Sequence, residues 1–293
     1  MRLDTPEGDL ARKPPTRRFV AASLFTAGYA PAALAADASP ITTPLGDLIE
    51  ADVHVTGAGG YSLPAYLVRP PGAGRRSTVI VVNEIFGIHA YIKDICKRLA
   101  HMGYVACAPD YFDRAGDPST LTDMAAIRPI VATATYEQTM QDTQGAIDWT
   151  RRQTFSNGKF GITGFCWGGA IVWMAAARCP EIRAGAAWYG RLVGPATPSA
   201  NDAARPWPID IAARLRTPVL GLYAANDQGI PVASVAQMRA ALAASGNPSH
   251  SELIVYPDAG HGFHADYRDS YNAADARDGW GRLTAWFQSA GLS

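Results

Sequence analysis

From residue 45 onward the chain alternates two hydrophobic periods. Apolar residues at every second position in "VHVTG" (53–57) and "LPAYLVRP" (63–70) predict an opening hairpin. Six apolar runs follow that are too continuous for a sheet with one wet face: "STVIVVNE" (77–84), "GYVACAPD" (103–110), "GKFGITGF" (158–165), "RAGAAWYG" (183–190), "TPVLGLYAAND" (217–227) and "SELIVYPDAG" (251–260). Helical spacing appears between and after them, at 91–102, 136–153, 168–178, 232–244 and 275–289. Strand and helix in alternation predict an α/β fold with a mostly parallel central sheet and helices on both faces. One insertion breaks the rhythm: "RLVGPATPSANDAARPWPIDIAARL" (191–215), rich in Pro and Ala, reads as a loop or small cap over the sheet edge.

Composition narrows the partners. With 293 residues, 48% of them hydrophobic, the chain can bury one large core and suits a single α/β domain. Lys plus Arg and Asp plus Glu number 26 each, so no net field draws the protein to nucleic acid or an anionic membrane. The expected partner is a small molecule. Cysteines 96, 107, 166 and 179 lack C-x-x-C spacing and neighbouring histidines, which argues against zinc or another metal. Cys96 and Cys107 read as buried free thiols, with a disulfide between them the alternative.

The N-terminus reads as a separate unit. "TRRFVAASLFTAGYAPAALAADA" joins Arg17 and Arg18 to an alanine-rich apolar run and an A-x-A site at Ala33–Ala35, the layout of a cleaved export signal. The arginine pair resembles the twin-arginine type, so residues 1–35 are expected to direct export to the periplasm and 36–293 to form the folded domain. The apolar run, broken by Gly28 and Pro31, falls short of the roughly 20 residues that span a bilayer, which leaves no membrane association after cleavage.

In open parallel sheets ligands bind beyond the carboxyl ends of the strands. Those ends carry Asn83-Glu84, Pro109-Asp110, Cys166, Trp188-Tyr189, Asn226-Asp227 and Gly260-His261. Gly164-Phe165-Cys166-Trp167-Gly168 has the form of the nucleophile elbow G-x-S-x-G with cysteine in place of serine. Such a turn lifts the sulfur into the site and sets the backbone N–H of Trp167 where it can meet a developing oxyanion. Nucleophile, acid and histidine then follow in chain order as Cys166, Asp227 and His261, the order of α/β-hydrolases. Asp258 competes as the acid. His264, His89, His101, His54 and His250 compete as the base.

Together, "NEIFG" (83–87), "APDYF" (108–112), "SNGKFGITGFCWGGA" (156–170), "WYG" (188–190), "ANDQGIP" (225–231) and "AGHGF" (259–263) resemble the dienelactone hydrolase family of the α/β-hydrolases, over roughly residues 50–290. The resemblance implies Cys166 as nucleophile, His261 as base and Asp227 as the residue that orients it. It further implies that Glu84 contacts the resting thiol, that the amides of Ile85 and Trp167 form the oxyanion hole, and that Arg114 and Tyr189 bind substrate. No cofactor is implied. One position departs from the pattern: the family's second carboxylate-binding arginine lies four residues after the histidine, where this chain has Ala265, and Arg268 is out of register. The expected activity is cleavage of a lactone or ester through a thioacyl intermediate. A broader carboxylesterase or thioesterase, or a non-catalytic thiol-bearing binding protein, are the alternatives.

Overall fold

The computed structural model describes residues 40–197, 202, 204–246 and 250–293. The expected export signal lies outside the described residues. The apolar runs form eight strands: β1 (Ile49–Thr56), β2 (Ser62–Arg69), β3 (Arg76–Val82), β4 (Val105–Pro109), β5 (Ser156–Phe165), β6 (Ile182–Trp188), β7 (Val219–Ala224) and β8 (Glu252–Tyr256). They make one sheet in the order β1-β2-β4-β3-β5-β6-β7-β8. Strand β2 is antiparallel to both of its neighbours, and every other adjacent pair is parallel. Val82 at the end of β3 pairs with Gly164 of β5, so the loop carrying Glu84 and Ile85 emerges beside the turn carrying Cys166.

Helices fill the connections: α1 (Ala90–His101), α2 (Met124–Thr133), α3 (Tyr136–Arg151), α4 (Trp167–Arg178), the short α5 (Pro208–Ile211), α6 (Val232–Ala244) and α7 (Ala273–Ser289). In α1 the residues Ile92, Ile95, Cys96 and Leu99 recur on one face and are all buried. Helix α7 starts where the Asn272 side chain accepts from the N–H groups of Ala274 and Asp275. Adjacent residues of β5 reach opposite layers: a Cβ at Gly161 would meet Phe287 of α7, whereas Ile162 shares its face with Val172 of α4. The two helices therefore cover opposite faces of the sheet, which is an α/β-hydrolase fold. Helix α2 has no counterpart in the sequence reading. Pro129 interrupts its pattern, yet the Asp123 carboxylate caps its start by accepting from the Ala125 N–H. No helix among the described residues is long and apolar enough to cross a membrane.

Candidate active site

Cys166 sits between the end of β5 and the first residue of α4, with φ at 55° and ψ at −114°. That region is costly for a residue with a Cβ, by about 1–3 kcal/mol, and holds only where the surroundings fix it. They do so here by close backbone approach. A Cβ on Gly168 would fall 2.5 Å from the Val82 carbonyl oxygen, and one on Gly164 would fall 2.5 Å from the Gly168 carbonyl oxygen. The Cys166 N–H donates to the Trp188 carbonyl at 3.0 Å, and its own carbonyl accepts from the Gly169 N–H at 3.0 Å. Cys96, Cys107 and Cys179 are free and buried, and burial pushes the thiols of Cys107 and Cys179 up to about 12. Cys166 alone among the four is partly open to solvent.

Two loops complete the line. His261, after β8, brings Nε2 to 3.2 Å from Cys166 Sγ, and its Nδ1 lies 2.7 Å from Asp227 Oδ2. Asp227, after β7, is 5% exposed, and its Oδ1 accepts from the N–H groups of Gly229 and Ile230 at 2.8 and 3.0 Å. Those two bonds fix the carboxylate so that Oδ2 faces the ring. Burial opposes a charged imidazole, but the bonds to Asp227 and to Cys166 outweigh it and raise His261 to about 10. His261 Nε2 is thus a strong proton acceptor facing the sulfur. Among the rivals, His264 is buried, bonded through Nδ1 to the Tyr91 hydroxyl at 2.7 Å and packed on Trp188 and Trp280. Burial, with the nearby Arg98 charge, lowers it to about 3, so it is a neutral packing residue. Asp258 is exposed and makes no bond to His261.

Cys166, Trp167, Ile85, Tyr189, Asp227 and His261 all border one cavity of about 920 Å³. The Tyr189 ring stands edge-on to the His261 imidazole, 5.2 Å between centroids, on a backbone held at φ 37°. The Trp167 indole packs against Tyr111 and Phe112.

Two expectations meet a different arrangement. Glu84 does not bond the sulfur. It is fully buried, accepts from the Tyr267 hydroxyl, and lies 3.5 Å from His89 Nε2 and 3.7 Å from an Arg268 terminal nitrogen. Burial alone would raise its pKa, but Arg268, His89 and Tyr267 bring it down to about 2. A carboxylate already neutralised by a guanidinium has little charge left to oppose a thiolate. Arg114 is not in the cavity. Its guanidinium makes two bonds to the buried carboxylate of Asp142, at 2.8 and 2.9 Å, and lies over the Tyr61 ring. The β1–β2 hairpin and α3 thus use the charge that the sequence pattern offered to substrate. The sequence reading set Arg268 aside for its register, and singled out neither Tyr267 nor the cavity-lining Arg205. An arginine directly after a tyrosine in the histidine loop is the signal that could have found the first pair.

Residues 63–291 match the dienelactone hydrolase family. The chain belongs to that family. Across 282 residues it is 44% identical to a Methylorubrum extorquens protein named "Putative carboxymethylenebutenolidase", covering 95% of this chain and 94% of that one. An Escherichia coli protein of the same name is 44% identical over 266 residues, 90% of this chain and 96% of its own. The crystal structure of a "Putative Dienelactone Hydrolase" from Klebsiella pneumoniae superposes with a TM-score of 0.77 at 42% identity, covering 82% of this chain and 98% of that one. As a family member the protein is a carboxylic ester hydrolase.

Proposed function

We propose that this hydrolase cleaves a lactone or ester of the dienelactone type by nucleophilic catalysis at Cys166. The observation that carries the reading is the unbroken line from Sγ through His261 to Asp227, with separations of 3.2 and 2.7 Å. His261 Nδ1–H donates to Asp227, so Nε2 is the atom that takes the thiol proton. The thiolate attacks the carbonyl carbon. The oxyanion that forms is met by the backbone N–H groups of Ile85 and Trp167, the latter at the positive end of α4. The carbon–oxygen bond to the leaving group breaks, and the His261 imidazolium returns its proton to that oxygen. Water then gives a proton to His261 as it attacks the thioester, releasing the acid and the Cys166 thiol. Tyr189 shapes the wall beside the imidazole. Glu84 serves as the buried counter-ion of Arg268.

A wider ester range than small acid lactones is favoured by one observation: Ala265 and the Asp142-bound Arg114 leave the family's two carboxylate-binding positions unfilled. The test is hydrolysis of a dienelactone beside neutral p-nitrophenyl esters, with mass spectrometry for an acyl group on Cys166. Turnover without any acyl adduct on a peptide containing Cys166, under burst conditions, would sink the covalent mechanism.

A further inference from the structure

His261 belongs to a long connection. Between the end of β8 at Tyr256 and the start of α7 at Ala273 the chain has no strand or helix, so no backbone ladder sets where the imidazole stands. The connection is folded on itself instead. The Ala265 N–H donates to the Gly262 carbonyl at 2.8 Å, the Asn272 N–H to the Phe263 carbonyl at 2.9 Å, and the Ser270 hydroxyl to the His261 carbonyl at 2.6 Å. Gly262, at φ 78°, lets the chain double back so closely that a Cβ there would fall 2.8 Å from Arg268 Cδ. Residues 261–272 are thus tied into one unit, and a displacement at one end of it reaches His261.

Asp266 is where charge fastens that unit to the rest of the molecule. It is 2% exposed, and its Oδ2 accepts from Arg98 of α1 at 2.8 Å. Burial raises the Asp266 pKa, and the bond and charge of Arg98 are the largest opposing influences, ahead of the Ile41 amide. Arg98 itself stands on a fixed base. Its Nε donates to Asp94 Oδ2, one turn earlier on α1, at 2.6 Å, and Asp94 Oδ1 in turn accepts from the Thr43 N–H. Ile92, Ile95, Cys96 and Leu99 hold the helix to the core. The guanidinium therefore spans two carboxylates, one on a packed helix and one on the histidine connection. A second contact from the same helix, Tyr91 to His264, joins neutral groups, so Arg98 supplies the one ion pair between α1 and the connection among the described residues. Arg98, Asp94 and Asp266 all lie outside the lining of the cavity over Cys166.

We infer that Arg98 is a positioning residue of this hydrolase: by holding Asp266 against α1 it keeps the His261 imidazole in line between Cys166 Sγ and Asp227. The inference rests on the catalytic reading above and extends the machinery to a group remote from the cavity. Misplacing a reacting group by about 1 Å costs on the order of a hundredfold, so Arg98→Met, which leaves Asp266 buried without its cation, should lower kcat by roughly tenfold to a hundredfold. KM should hold, because the cavity walls are untouched.

The test follows hydrolysis of p-nitrophenyl acetate by wild type and Arg98→Met, well below the melting temperature of each. The expected result is a kcat lower by about tenfold or more with KM within about twofold of wild type, and partial recovery in Arg98→Lys, which restores a cation. The deciding comparison is made without the imidazole. In His261→Ala, Arg98→Met should change the release of p-nitrophenol on acylation of Cys166 by less than about twofold, because an effect that works through His261 disappears with it. A lowered melting temperature with kcat within about twofold of wild type makes Arg98 a structural group and overturns the inference. A loss of the same size in the His261→Ala background overturns it as well. If Arg98→Met does not fold, Asp266→Asn is read by the same criteria, since it removes the ion pair without leaving an unpaired buried carboxylate. Cys166→Ala, run alongside, separates the two readings: turnover that persists in it removes the catalytic reading, whereas Cys166-dependent turnover that is indifferent to Arg98 removes only this inference.

Discussion

Replacing Arg268 by methionine should expose how much the buried charge behind the nucleophile depends on one guanidinium. Methionine fills part of the side chain's volume and removes the guanidinium that lies over the Phe86 and Tyr267 rings, 3.7 Å from Glu84. In the native protein Glu84 titrates at about 2 against an ordinary 4.5, a difference worth on the order of 3 kcal/mol. Because that shift is downward, its contribution is complete above pH 4.5 and is lost as pH falls from 4.5 through 2. Without Arg268 only His89 and Tyr267 oppose burial, so the Glu84 pKa should rise. The variant should then lose roughly 3–5 kcal/mol at pH 7, the cost of one unpaired buried charge. Its sign also inverts: the variant should recover part of that loss as pH drops from 7 toward 5 and Glu84 takes up a proton in the folded state. Urea unfolding followed by tryptophan fluorescence at pH 7, 6 and 5 reads this directly. The double variant Arg268→Met with Glu84→Gln should regain most of the stability, since both charges are gone and the shape is kept. A single variant that loses under about 1 kcal/mol, or whose stability runs parallel to wild type between pH 7 and 5, would refute the account.

Cys166→Ala should abolish ester hydrolysis with an unchanged melting temperature, and near-wild-type turnover would remove the nucleophile assignment. Asp227→Asn should lower kcat on the order of a thousandfold or more by misdirecting the imidazole, whereas Asp258→Asn stays near wild type; the reverse ranking identifies the other acid. His261→Ala should cost turnover and His264→Ala mainly stability, read by kcat and melting temperature side by side. Gly168→Ala, whose Cβ would fall 2.5 and 2.6 Å from the carbonyl oxygens of Val82 and Asn83, should displace the strand end before Ile85 and lose both about 1–3 kcal/mol and most activity. Export of the chain predicts a native N-terminus near Ala36, and N-terminal sequencing that returns Met1 removes the export reading.

Much of this architecture is legible in the chain because strands buried on both faces leave unbroken apolar runs: β3 to β8 each overlap one, and β1 and β2 overlap the two period-2 segments of the opening hairpin. The elbow is legible for a related reason, since only glycine tolerates the approach of Gly168 to Val82. Charges are harder to read. Arg114 looks available in the sequence because its partner, Asp142, comes 28 residues later on α3. Glu84 looks as if it faces the sulfur because Arg268 and Tyr267 reach it from the far end of the chain. Spacing reports which residues share an element. It does not report which distant carboxylate claims a guanidinium once the elements pack. Helix α2 escaped because Pro129 and a ten-residue length hide a pattern that its Asp123 cap secures.

The trio at the site is drawn from positions far apart along the chain, 95 residues between Cys166 and His261 and 34 between His261 and Asp227. Before β7 and β8 join the sheet, Cys166 has neither a base nor the carboxylate that orients one, and its sulfur lacks the partner that activates it. Reactivity is thus a property that the molecule acquires last. In refolding, recovery of hydrolysis should trail the return of helical and strand signals, and the lag would time the docking of the C-terminal third onto the rest.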